Sequence, residues 1–184
     1  MAITIVRRSS KRAIQEAAAN GARILDVTSN GPQPWIRFSP FYPHGNIPVP
    51  LSEGYFTYSV EGAWQALKAF KHEDIDLTKL RIHTMKGLKR SSARRGAVLG
   101  HRAGINGNRL LSYVEARKAI YLPLYKWVLD KKVQHLVMEI RTLSVDWPVV
   151  LLDYETNSDI CDPSKPLSHA ALIKLYVEGH WPAK

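Results

Sequence analysis

The stretch Val149-Val150-Leu151-Leu152 constrains the chain most: four apolar residues, partly β-branched and free of charge, lie between Pro148 and Asp153. Such a run suits a strand buried on both faces, because a half-solvated strand would alternate apolar with polar residues. A strand buried in this way needs covering elements, and helical periodicities lie on either side of it. Behind Ser9 or Ser10 as cap, Ala13, Ile14, Ala17 and Ala18 recur at helical spacing, with Asn20-Gly21 as a stop. Val133 to Leu143 is expected to be helical, and a last helix should run from Leu167 or Ser168 to Glu178, ending at Gly179. Ile24 to Thr28 reads as a second short strand. With no internal repeat or heptad run, the expected fold is α+β: a mainly helical single domain over residues 1–184, packed around a small sheet.

The middle of the chain is where local signals conflict. Six prolines between Ser29 and Glu53 break any periodicity, so an ordered loop region is expected there. Tyr55 to Tyr58 looks like a strand leading into a helix from Ser59 to Lys71, in which Val60, Ala63, Trp64, Leu67 and Phe70 share a face. A short helix is expected from Ser92 to Leu99, ending at Gly100, before the turn-rich Gly104, Asn106, Gly107 and Asn108. Leu110 to Lys132 carries a long helical periodicity in which Pro123 either kinks one helix or splits two.

Charge narrows the choice of partner. Twenty-six Lys and Arg against sixteen Asp and Glu leave +10 on 184 residues, which favours encounter with anions. Lys86, Lys89, Arg90, Arg94, Arg95, His101, Arg102 and Arg109 concentrate that charge. Lys89, Arg90, Arg94, Arg95 and Arg102 form a candidate patch for a phosphate, or for DNA or RNA; the competing reading is a solvated basic face. One cysteine, Cys161, excludes an internal disulfide and favours a reducing compartment, the cytoplasm. No leader peptide or membrane anchor is expected, and no membrane partner. His135 and Glu139 are four apart but have no third ligand, so no metal is assigned.

Within the helix expected from Ser59, Glu61, Gln65 and Lys68 stand at i, i+4 and i+7 and so share a stripe. A carboxylate, an amide and an amine at the edge of a core can bind a sugar or supply acid, base and nucleophile, above all if burial lowers the lysine pKa. The alternative is an amphipathic helix with a solvated polar stripe.

Tyr58-Ser59-Val60-Glu61, Gln65-Ala66 and Lys68 resemble the helix signature of the NADAR (YbiA-like) N-glycosidase superfamily. Upstream, Phe38-Ser39-Pro40-Phe41-Tyr42-Pro43 is similar to its aromatic Phe-Ser-Asn-Phe-Tyr-Pro loop. Tyr113 to Arg117 and Pro166-Leu167 to Tyr176 resemble later parts of that family. The resemblance covers residues 35–178, most closely at its start, with 1–34 outside. It implies a divergent member that cleaves or binds the N-glycosidic bond of a ribosylated base, whether ADP-ribosylated guanine, free or in nucleic acid, or a ribosylamino-pyrimidine nucleotide, and needs no cofactor. Carried over, Lys68 is the amine that attacks the ribose anomeric carbon and Glu61 the carboxylate that shuttles protons. Phe41 and Tyr42 would stack on the base, Gln65 would hold ribose hydroxyls, and Ser39, Trp64, Arg117 and Asp159 would complete the substrate-binding set. The chain departs from the family at Pro40, where the loop has Asn, and after Asp153, where Asp159 is not followed by the family's Trp-Gly. A non-enzymatic DNA- or RNA-binding protein is the alternative function.

Overall fold

A computed structural model describes residues 2–182 of the chain. Along the sequence these form β1 (Ile3–Arg7), α1 (Lys11–Ala19), β2 (Arg23–Asp26), β3 (Ile47–Pro48), β4 (Phe56–Thr57), α2 (Val60–Ala66), β5 (Lys68–Phe70), α3 (Ser92–Arg95), β6 (Val98–Arg102), β7 (Leu110–Leu111), α4 (Tyr113–Ala116), α5 (Leu122–Lys131), α6 (Gln134–Asp146), β8 (Val149–Asp153) and α7 (His169–Val177). Short 3-10 turns at Trp35–Phe38 and Leu77–Arg81 punctuate the loops. The class is α+β, as expected, with three small sheets among the helices rather than one. Contacts gather the chain into two compact units, residues 1–39 with 129–183, and residues 40–128.

The first unit is organised by β8, whose five residues are all buried. It lies between β1 and β2 in a parallel sheet, with Ile5 and Leu25 both opposite Leu151. A parallel central strand of this kind has no solvated face, which is why its sequence shows no alternation. Helices α6 and α7 pack on it. No local signal predicts β1, because Ile3–Arg7 is a brief apolar segment running straight into Arg7 and Arg8. At the carboxyl end of β8, Asp153 accepts from the Ser168 hydroxyl at 2.7 Å and the Ala170 N–H at 3.1 Å, and so anchors the start of α7.

The second unit is antiparallel. Its β3–β4 ribbon leads into α2, and β5, β6 and β7 form a three-stranded sheet in that order. Several elements here differ from their expected bounds. The helix starting after Ser59 ends at Ala66 rather than Lys71, because the Leu67 carbonyl accepts the Arg102 N–H at 2.8 Å and the chain enters a sheet. The helix starting at Ser92 ends at Arg95 rather than Leu99, and Gly100 lies inside β6 rather than beyond a helix; a Cβ on it would stand 2.4 Å from the Leu111 carbonyl oxygen. Leu110 and Leu111 are strand, and Pro123, which has no N–H to donate, falls in the first turn of α5 directly after a π-helical stretch, Arg117–Tyr121, that continues α4, so the helix does not split there.

Candidate functional site

Helix α2 is the base of the site, and it is buried at all seven positions. Ser59 caps it, its hydroxyl accepting the Gly62 N–H at 3.0 Å, while the Glu61 N–H donates to the Pro40 carbonyl at 2.9 Å. Gly62 permits the close approach of neighbouring backbone: a Cβ there would stand 2.9 Å from the Lys79 carbonyl oxygen. A fully buried helix has no solvated stripe, which removes the amphipathic alternative for Glu61 and Gln65. Gln65 donates from Nε2 to Glu61 Oε1 at 2.8 Å and accepts the Arg90 N–H on Oε1 at 3.1 Å. Burial pushes the Glu61 carboxyl above its ordinary range, against the pull of that hydrogen bond and of the Lys68 and Lys89 charges.

Lys68 reaches the same place by a different route. It is the first residue of β5 rather than the last of a helical stripe, and it stands opposite His101 of β6. Because Leu67 and Arg102 form the hydrogen-bonded pair, Lys68 and His101 form the adjacent non-hydrogen-bonded one, the relation that brings cross-strand side chains closest. Burial lowers the Lys68 ammonium pKa, Glu61 opposes the shift, and the Arg90 and Lys89 charges add to it. Lys68 and Glu61 act on each other through charge, with no hydrogen bond between them. Coulombic influence on both partners places Lys89, which is exposed, at the edge of the group. The Lys89 ammonium also lies 5.6 Å from the centre of the Phe41 ring, which ties the aromatic loop to this cluster.

Arg90 is the largest correction. Read in sequence as an anion-binding residue, it is buried, with no exposed side chain. Its guanidinium donates to the carbonyls of Gln65 at 3.0 Å, Lys68 at 2.6 Å and Asp74, pairs with Glu73 at 2.8 Å and lies 4.8 Å over the Phe70 ring. It thus closes the junction between α2 and β5. Arg95 also pairs with Glu73, and Arg102 pairs with Asp74 at 2.7 Å, so of the predicted phosphate-binding set Lys89 and Arg94 remain exposed with no acidic partner described.

In the sequence His101 stands out only as one member of the basic segment. It is buried, its ring centre lies 3.8 Å from that of Trp64, and neither ring nitrogen has a hydrogen-bond partner among the described residues. Burial and the Lys68 charge push its pKa down to about 3, so the ring is neutral. Only the register of β5 on β6 reveals it, and no local pattern carries that signal. Trp64 further packs edge-on against Tyr113 and Tyr121, and the buried Arg117 guanidinium lies 4.4 Å over the Tyr113 ring. The Tyr42 ring packs on His44 at 4.7 Å.

Ser39 and Asp159 belong to the first unit. Ser39 is buried there, and Asp159 is exposed, its carboxylate accepting the Cys161 N–H at 2.8 Å in a local turn. Among the described residues no group of three or more His, Cys, Asp or Glu could hold a metal ion, and no helix is long and apolar enough to cross a membrane.

Compared with known proteins, residues 6–173 match the model of a family of unknown function, DUF6939. No curated protein and no solved structure matches the chain.

Proposed function

We propose, for a chain that belongs to the DUF6939 family of unknown function, an N-glycosidase reading: cleavage of the bond between a ribose and a base or base-like group. The observation that carries it is that a buried acid, Glu61, and a half-buried amine, Lys68, share one cluster with no hydrogen bond closing between them. Burial favours the neutral form of each, and those are the forms such chemistry needs. Neutral Lys68 Nζ attacks the anomeric carbon, and the electron pair of the broken C–N bond goes to the leaving nitrogen, which takes the Glu61 proton. The new ammonium returns a proton to Glu61; ring opening gives a Schiff base, and water releases the sugar and regenerates the amine. The resemblance to NADAR enzymes points the same way and suggests ADP-ribosylated guanine or a ribosylamino-pyrimidine nucleotide. Lys89 and Arg94 would meet its phosphates, and Phe41, Tyr42 and Trp64 would supply aromatic surface.

Reductive trapping with cyanoborohydride in the presence of ADP-ribose tests this. The expected result is one sugar adduct that maps by peptide mass to Lys68, vanishes in Lys68→Met and is slowed at least tenfold in Glu61→Gln. Adducts scattered over exposed lysines, with Lys68 unmodified, would remove the reading.

A second reading, polyanion binding, is favoured by where the charge lies. Residues 40–128 hold fourteen Lys and Arg against six Asp and Glu, a net +8, while residues 1–39 with 129–183 hold eleven against ten, a net +1.

A further inference from the structure

Both ends of the Gln65 amide are committed inside the protein. Its Oε1 accepts the Arg90 main-chain N–H at 3.1 Å and its Nε2 donates to Glu61 Oε1 at 2.8 Å. A main-chain N–H can only donate, so the oxygen end must face Arg90 and the nitrogen end must face Glu61. An amide nitrogen likewise only donates, so Glu61 Oε1 is the accepting oxygen in every protonation state. When the carboxyl carries a proton, that proton therefore sits on Oε2. The anchor is rigid, because the Arg90 side chain is itself held by the Gln65, Lys68 and Asp74 carbonyls and by Glu73.

We propose that Gln65 is a positioning residue rather than the ribose contact that the family resemblance assigns to it: with Arg90 it fixes Glu61 Oε2 as the oxygen that exchanges a proton with the substrate. This rests on the glycosidase reading above. In the bond-breaking step the Oε2–H bond gives its proton to the leaving nitrogen, which has received the electron pair of the C–N bond. Glu61 is left as a carboxylate that still accepts from Gln65. That hydrogen bond stabilises the ionised product, and its loss makes the acid harder to ionise.

The test is an infrared pH titration of the Glu61 carboxylic-acid band, identified by its disappearance in Glu61→Gln, combined with ADP-ribose affinity and Lys68 trapping. Gln65→Met should raise the titration midpoint by about one pH unit while changing the ADP-ribose Kd less than twofold. Gln65→Glu keeps the acceptor for the Arg90 N–H, so it covers the case in which the methionine variant fails to fold. It replaces the donor with a charge and should raise the midpoint further. A tenfold loss of ADP-ribose affinity with an unmoved midpoint would return Gln65 to the substrate and overturn the inference, leaving the glycosidase reading intact. A moved midpoint in a protein whose wild type forms no Lys68 adduct would instead overturn the glycosidase reading, and the role of Oε2 with it.

Discussion

His101 presents a buried imidazole with no hydrogen-bond partner among the described residues on either ring nitrogen, packed against Trp64. Each unsatisfied buried polar group costs about 1–3 kcal/mol, so a ring of the same shape without the nitrogens should be tolerated well or improve the fold. His101→Phe is therefore expected to leave stability unchanged or raise it by about 1 kcal/mol in chemical denaturation, against about 1 kcal/mol of possible overpacking. A loss of 2 kcal/mol or more would mean that ordered water already satisfies both nitrogens. Arg90 teaches the complementary lesson. Sequence displays its charge, but Glu73 and the Asp74 carbonyl that neutralise and hold it lie in a separate segment, and only tertiary structure brings them to it. Residue type and order were enough to single out Glu61 and Lys68, and the fold does bring them within reach of each other's charge, but their surroundings were not legible.

At the scale of elements, starts were more legible than ends. Ser59 and Ser168 cap their helices through their hydroxyls as their positions suggest, since a cap is a local interaction. The end of α2 is decided by Leu67 pairing with Arg102, a contact between distant segments, while Leu67 and Phe70 keep to helical spacing and so mislead. Helix α7 offers a prediction, because one carboxylate fastens it to β8. His169 Nδ1 lies 3.0 Å from Asp153 Oδ2 and its Nε2 lies 2.8 Å from the Val27 carbonyl oxygen, so both nitrogens face acceptors and the ring holds two protons. Burial opposes charge on both partners, but Asp153 raises the His169 pKa above 6.5, and His169, with the hydrogen bonds of Ser168 and Ala170, lowers the Asp153 pKa below 3.8. The histidine contribution is complete below pH 6.5 and is lost as pH climbs through its raised pKa; the aspartate contribution is complete above pH 3.8 and is lost as pH falls through its lowered one. Thermal melts should therefore show stability declining as pH rises above 6.5 through the raised His169 pKa. Asp153→Asn should cost about 3 kcal/mol near neutral pH and flatten that decline. An unchanged slope in the variant would assign the decline to other groups.

Over the whole molecule, the α+β class followed from one buried strand and several helical periodicities, but the assembly of one compact unit from both ends of the chain did not. That assembly depends on β8 inserting between β1 and β2, and a parallel insertion leaves no local mark. Charge partition was equally hidden until the units were known, and it carries the last prediction. With +8 on residues 40–128 and +1 on the other unit, attraction for a polyanion should come almost wholly from the former. Within the basic segment 86–102 the exposed side chains with no acidic partner described are Lys86, Lys89 and Arg94, whereas Arg90, Arg95 and Arg102 already face Glu73 and Asp74. If single-stranded nucleic acid binds, the slope of log affinity against log salt falls by about 0.7 for each phosphate contact removed. Lys86→Ser, Lys89→Ser and Arg94→Ser together should thus flatten the slope by about 2, while Lys11→Ser, Arg12→Ser and Arg23→Ser in the other unit should change it by less than about 0.5. Equal flattening by the two triple variants would place the polyanion on both units and break the link between this charge and the acid and amine beside it.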